Sequence, residues 1–106
     1  MTARLPRRVK LGGQSWTLQR VHLDDELGIF GRFKDRQSLI ELDADQGIDQ
    51  ERNTVTHELL HAVASTARVF DEPDDEERVV SALAPWLLAM LRDNPALVSY
   101  LTARDS

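Results

Sequence analysis

Cysteine is missing from this chain. Its absence excludes disulfide frameworks and thiolate zinc fingers, so any strong metal site must be assembled from imidazole and carboxylate. Long apolar runs are missing too: none approaches the roughly 18 residues of a membrane span, and no charged-then-apolar leader opens the chain. Neither a membrane span nor a secretory signal is expected, and the cytoplasm is the default compartment. Basic charge is in deficit, with 13 Lys and Arg against 18 Asp and Glu and a net charge of −5. Nucleic acid is therefore not expected as the principal partner, because phosphate binding needs a basic footprint. The basic cluster at Arg4, Arg7, Arg8 and Lys10 reads as a solvated strand edge.

What is present fits one domain over residues 1–106, with strands in 1–46 and helices in 47–106. Only 5 Gly and 4 Pro punctuate the chain, so each carries information. Arg8–Leu11 and Ser15–Val21 alternate polar and apolar residues around Gly12-Gly13, which predicts a hairpin. A polar piece from His22 to Glu26 leads to a second predicted hairpin, Gly28–Phe33 and Ser38–Asp43, turning at Lys34–Gln37. Its two glycines mark a bend, a bulge or a close backbone approach. The expectation is an α+β fold with a small antiparallel sheet of three or four strands.

From Ala44 the period changes. Asp49 is the expected N-cap of a helix running from about residue 50 to Arg68. A second helix follows the acidic connection, with apolar periodicity from Val79 to Leu91 and a kink expected at Pro85. Asn94-Pro95 stops it and starts a short last helix ending near Tyr100 or Ala103.

The first of these helices carries His57-Glu58-Leu59-Leu60-His61. Residues four apart lie one turn apart on one face, so both imidazoles can reach a single ion, while Glu58 is swung about 100° round and stands beside it. Two histidine ligands and a general base for a metal-activated water make up the H-E-x-x-H arrangement of zinc hydrolases. Chance produces this pattern in roughly one chain of this length in several hundred. Val55, Leu59, Leu60, Val63, Ala67 and Phe70 form the apolar stripe, which leaves His57, Glu58 and His61 on its opposite side and border. The plainer alternative is a pair of solvated histidines, one of them paired with Glu58.

A catalytic zinc needs a third protein ligand. Ala64 and Ala67 replace the glycine and histidine that a metzincin would have there. His22 reads as a surface histidine. The acidic run Asp74, Asp75, Glu76, Glu77 remains. The stripe Val79, Val80, Leu83, Trp86, Leu87, Met90 and Leu91 is centred almost over Glu76, whereas Glu77 lies roughly 95° away at its border, where a metal stays open to substrate. Glu77 is preferred and Glu76 is the alternative. A capping box of Asp74 with Glu77 is the structural reading of the same residues.

Together with Gly31-Arg32-Phe33, Leu39–Asp43 and Arg92-Asp93-Asn94-Pro95, the metal motif and Glu77 resemble the ImmA/IrrE-type zinc metallopeptidases. The likeness is strongest to the very small zincin-like proteins of bacteriophages and prophages. The resemblance implies a minimal gluzincin fold, one Zn²⁺ per chain, a peptide or protein substrate, and residence in the cytoplasm of a bacterial host. The gap between His61 and Glu77 is shorter than in the longer members, and their Ala-Asn pair is missing. In such an enzyme Leu39–Asp43 would be the edge that receives substrate as an added strand, and His22, Tyr100 and several arginines are candidates for the oxyanion donor. The competing expectation is a zinc-stabilised, catalytically silent interaction or accessory protein of a phage.

Overall fold

A computed structural model describes residues 4–23 and 29–104. The strands are β1 (Arg8–Leu11), β2 (Gln14–Val21), β3 (Gly31–Lys34) and β4 (Leu39–Asp43), followed by α1 (Ile48–Ala67), α2 (Pro73–Asp93) and α3 (Pro95–Thr102). The class is α+β, as expected. The expected start of the second hairpin at Gly28, and the part of the polar piece from Asp24 to Glu26, lie outside the described residues. Among the described residues, no helix is long and apolar enough to cross a membrane.

Both hairpins form. β1 pairs antiparallel with β2 around Gly12, whose φ of +61° suits glycine, and β3 pairs antiparallel with β4. The expected all-antiparallel sheet is corrected at the joint between them: β2 and β4 are parallel, and the order is β1-β2-β4-β3. Hairpin pairing is local and readable from turn chemistry, whereas the joint is decided by burial. β4 supplies Ile40 and Leu42, both fully buried, so it takes the interior position, while β3 contributes the partly buried Phe33 and stays outside. Leu39–Asp43 is therefore not an edge strand. The edge beside the helices is β3.

One face of the sheet makes the core. Trp16, Leu18, Ile40 and Leu42 pack with Ala62, Val55 and Leu59 of α1, and Trp16 stacks on Phe33 with ring centroids 5.0 Å apart. Arg20, at the end of the same face, forms a bidentate pair with the buried Glu51 of α1 at 2.7 and 2.8 Å. This pair fixes where α1 begins relative to β2.

The helix starts differ from the expected ones. Gly47, not Asp49, precedes α1, and Asp49 sits in the first turn, where its carboxylate accepts from Arg92 at 3.3 Å. Glu72 and Pro73 open α2, so the Asp74–Glu77 capping box does not form and Glu77 is released for other contacts. Arg68 adopts the left-handed conformation and closes α1. Helical structure runs unbroken through Pro85.

Two stripes are also corrected. Among the buried residues of α1 are Glu51, Thr54, Glu58 and His61, a polar line at helical spacing. Glu58 and His61 thus lie under neighbouring elements: β3 approaches Glu58 at Gly31, and Glu76 and Glu77 of α2 hold His61. In turn α2 buries only Val80 and Ala84, leaving most of its apolar stripe outside.

Candidate metal centre

Three elements meet around the motif. α1 presents His57, Glu58 and His61, the first turns of α2 present Glu76 and Glu77, and β3 approaches through Gly31. That approach requires glycine: a Cβ on Gly31 would stand 2.7 Å from Thr54 Cγ2 and 3.3 Å from Glu58 Cγ. Thr54 is held in turn, donating to Gln46 Oε1 at 2.9 Å, while Gln46 Nε2 donates to the carbonyl of Phe30 at 3.0 Å. These bonds fasten the start of β3 to the face of α1 that carries the site.

His57, His61 and Glu77 offer ligand atoms that all lie within 4.8 Å of one another, a group that can hold a metal ion. Glu77 bridges the two rings: Oε1 is 3.0 Å from His57 Nε2 and Oε2 is 2.7 Å from His61 Nε2. The imidazoles stand edge to face, 4.9 Å apart. Ser81, one turn beyond Glu77, donates its hydroxyl to Oε1 at 2.9 Å. Glu76 does something different. Its Oε2 lies 2.6 Å from His61 Nδ1, the ring nitrogen turned away from the cluster. A carboxylate there selects the tautomer with the proton on Nδ1 and leaves the Nε2 lone pair free for an ion.

Glu58 is buried, and its Oε2 has no hydrogen-bond partner among the described residues. Burial, assisted by the Glu77 charge and opposed by His61, pushes its carboxyl up from 4.5 to about 7. Burial lowers the His57 imidazole against the pull of Glu77. At His61 burial also pulls downward, but the hydrogen bonds to Glu76 and Glu77 outweigh it and the net shift is upward. Burial would raise Glu77; the Ser81 hydrogen bond and the two histidines reverse that and hold it low. Glu77 thus offers an ionised carboxylate, Glu58 stands beside it poised near neutrality, and the two nitrogens and one oxygen make a set that can hold a divalent metal ion.

The cleft over this cluster has a volume of about 560 Å³ and is lined by His57 and Glu58 of α1, by Glu77 and Pro85 of α2, and by Phe30 and Gly31. The expected oxyanion donors are elsewhere. His22 is exposed and faces Asp45 at 3.2 Å, and Tyr100 is exposed on α3; neither lines the cleft. Sequence reasoning did not find Gln46, Thr54 or Ser81. For Ser81, the four-residue step from Glu77 was a usable signal; Gln46 and Thr54 become informative only once β3 is in place. Comparison with protein-family models, curated proteins and solved structures found no match to this chain.

Proposed function

We propose that the chain is a zinc-dependent peptidase, of the kind its motif resembles, with His57, His61 and Glu77 as ligands of one zinc ion and Glu58 as general base. The observation that carries this reading is the Glu58 oxygen, buried and without a partner among the described residues, in the cleft where three ligand atoms converge. A purely structural metal site has no use for a partnerless acid, whereas a hydrolytic site needs one for its water. When bound, zinc supplies Lewis acidity that polarises a carbonyl and acidifies water. Glu58 accepts the proton of the attacking water and passes it to the leaving amine. Glu76 orients His61 through Nδ1, and Ser81 steadies Glu77. The outer side of β3, at Gly31–Lys34, unpaired by any strand among the described residues, receives the substrate as an added extended strand.

A second reading is favoured by one observation: neither His22 nor Tyr100 reaches the cleft to stabilise an oxyanion. In this reading zinc staples a small domain that serves as an interaction module. Zinc analysis and a cleavage assay on candidate bacterial and phage proteins separate the two, comparing wild type with Glu58→Gln. Peptidase function requires about one zinc per chain in both proteins and a loss of cleavage of at least about 10²-fold in the variant. Full zinc occupancy without cleavage of any substrate supports the module, and no zinc uptake by either protein rejects both readings.

A further inference from the structure

The apolar stripe of α2 is largely unused by the fold. Val79, Leu83, Trp86 and Met90 follow one another at steps of four, three and four residues, the spacing of a helix-pairing seam. At about 100° per residue this line lies roughly 110° around the helix from the buried Val80 and Ala84. Most of it is bare: Leu83 is 55% exposed, Trp86 77% and Met90 45%, while Val79 at its start is half-buried. A core-facing helix would not carry its tryptophan there. Charged residues bound the seam at its ends, Asp75 and Glu76 at one and Asp93 at the other.

We propose that this seam pairs with the same seam of a second copy, antiparallel, to make a two-fold symmetric dimer. The spacing is self-complementary: reversing the direction of one helix sets Val79 opposite Met90 and Leu83 opposite Trp86, so each layer joins a smaller side chain to a larger one. Antiparallel helix dipoles favour the same direction. The area is also right. With side chains on the order of 150–250 Å² each, the exposed parts of Leu83, Trp86 and Met90 come to roughly 350 Å². Leu97, Tyr100 and Leu101 on α3, which follows α2 after the single residue Asn94, add about as much, and a standard interface takes about 800 Å² from each partner. Pairing leaves the cleft open, because Glu77, Ser81 and Pro85 line it from the other side of α2.

Sedimentation equilibrium of the full-length chain over about 1–100 µM, within the range that interfaces of this size span, tests the dimer. The expected mass is twice the 12.0 kDa of one chain, returning to a single chain in Trp86→Glu and in Leu83→Glu. Both residues are exposed, so circular dichroism and melting temperature measured at the single-chain concentration should stay those of wild type. The register has its own test, since the chain has no cysteine of its own. Mixed Val79→Cys and Met90→Cys proteins should oxidise to the 79–90 disulfide in preference to 79–79. A single-chain mass throughout overturns the proposal, whether the seam then stays bare or is covered by a different protein. So does a dimer that survives both glutamate variants, or a predominant 79–79 crosslink.

Discussion

In the metal-free protein, Glu58→Gln should be stabilising, and increasingly so as the pH rises. The buried Glu58 carboxyl titrates at about 7 in the folded chain against 4.5 ordinarily, so the folded state binds its proton more tightly than the unfolded state. By linkage, that difference supports folding in acid and is progressively lost as the pH climbs from about 4.5 to about 7; above that, a carboxylate with a partnerless oxygen is held in a buried site. At about 1.4 kcal/mol per unit, the Glu58 contribution should change by roughly 2–3 kcal/mol between pH 5 and pH 8. Glutamine has nearly the same shape and no charge, so it lacks this dependence. Denaturant unfolding of both proteins in excess chelator at the two pH values is the assay, with near-equal stability expected at pH 5 and the variant ahead by about 2 kcal/mol at pH 8. A constant difference across this range, or a variant less stable at pH 8, would refute the assignment of Glu58 as a desolvated, unpaired acid. With zinc bound, the nearby cation favours the carboxylate and the advantage of the variant should shrink.

Chelator competition should show Glu76→Gln weakening zinc binding about 10- to 100-fold, as expected for loss of a carboxylate that orients a histidine ligand. Glu77→Gln should weaken it more, since the variant loses a charged ligand; the reverse order would make Glu76 the ligand. Gly31→Ala should destabilise the fold by about 1–3 kcal/mol in thermal or denaturant unfolding, because the new methyl meets Thr54 at 2.7 Å and the backbone of Glu41 at 3.3 Å; unchanged stability would mean that β3 does not approach α1 this closely. Arg20→Ala should cost about 1–3 kcal/mol at neutral pH by leaving Glu51 buried and unpaired. The Arg20 hydrogen bond, outweighing burial, holds the Glu51 pKa below its ordinary 4.5, so the pair stabilises above that pH and its effect fades as the pH falls through the lowered value. A penalty for Arg20→Ala that persists undiminished in acid would show that the ion pair is not its source.

Local chemistry was legible in the sequence. Gly12-Gly13 marked the first turn, alternation marked the strands, and Asn94-Pro95 marked the start of the last helix, because each depends on residues adjacent along the chain. The four-residue step from His57 to His61 likewise follows from helix geometry alone. Gly31 was legible as a close approach, though the element it admits was not. The cap of α2 was misread because several acids and a proline competed for the same turn: Pro73 suits the first helical position, which displaced Asp74 from capping.

Sequence by itself determined the elements, their order and the residue types able to hold an ion, all of which rest on backbone preference and short-range periodicity. Tertiary structure alone decided the rest. It placed β4 inside the sheet because Ile40 and Leu42 bury completely there, and it left β3 as the edge beside the cleft. It turned the polar line of α1 inward: Arg20 of β2 pairs with Glu51, β3 closes at Gly31 over Thr54 and the desolvated Glu58, and α2 gives His61 a carboxylate on each ring nitrogen. Adjacent in sequence, Glu76 and Glu77 looked like two candidates for one task; packing set them on opposite nitrogens of the same ring, since residues about 100° apart on one helix reach a neighbouring side chain from different sides.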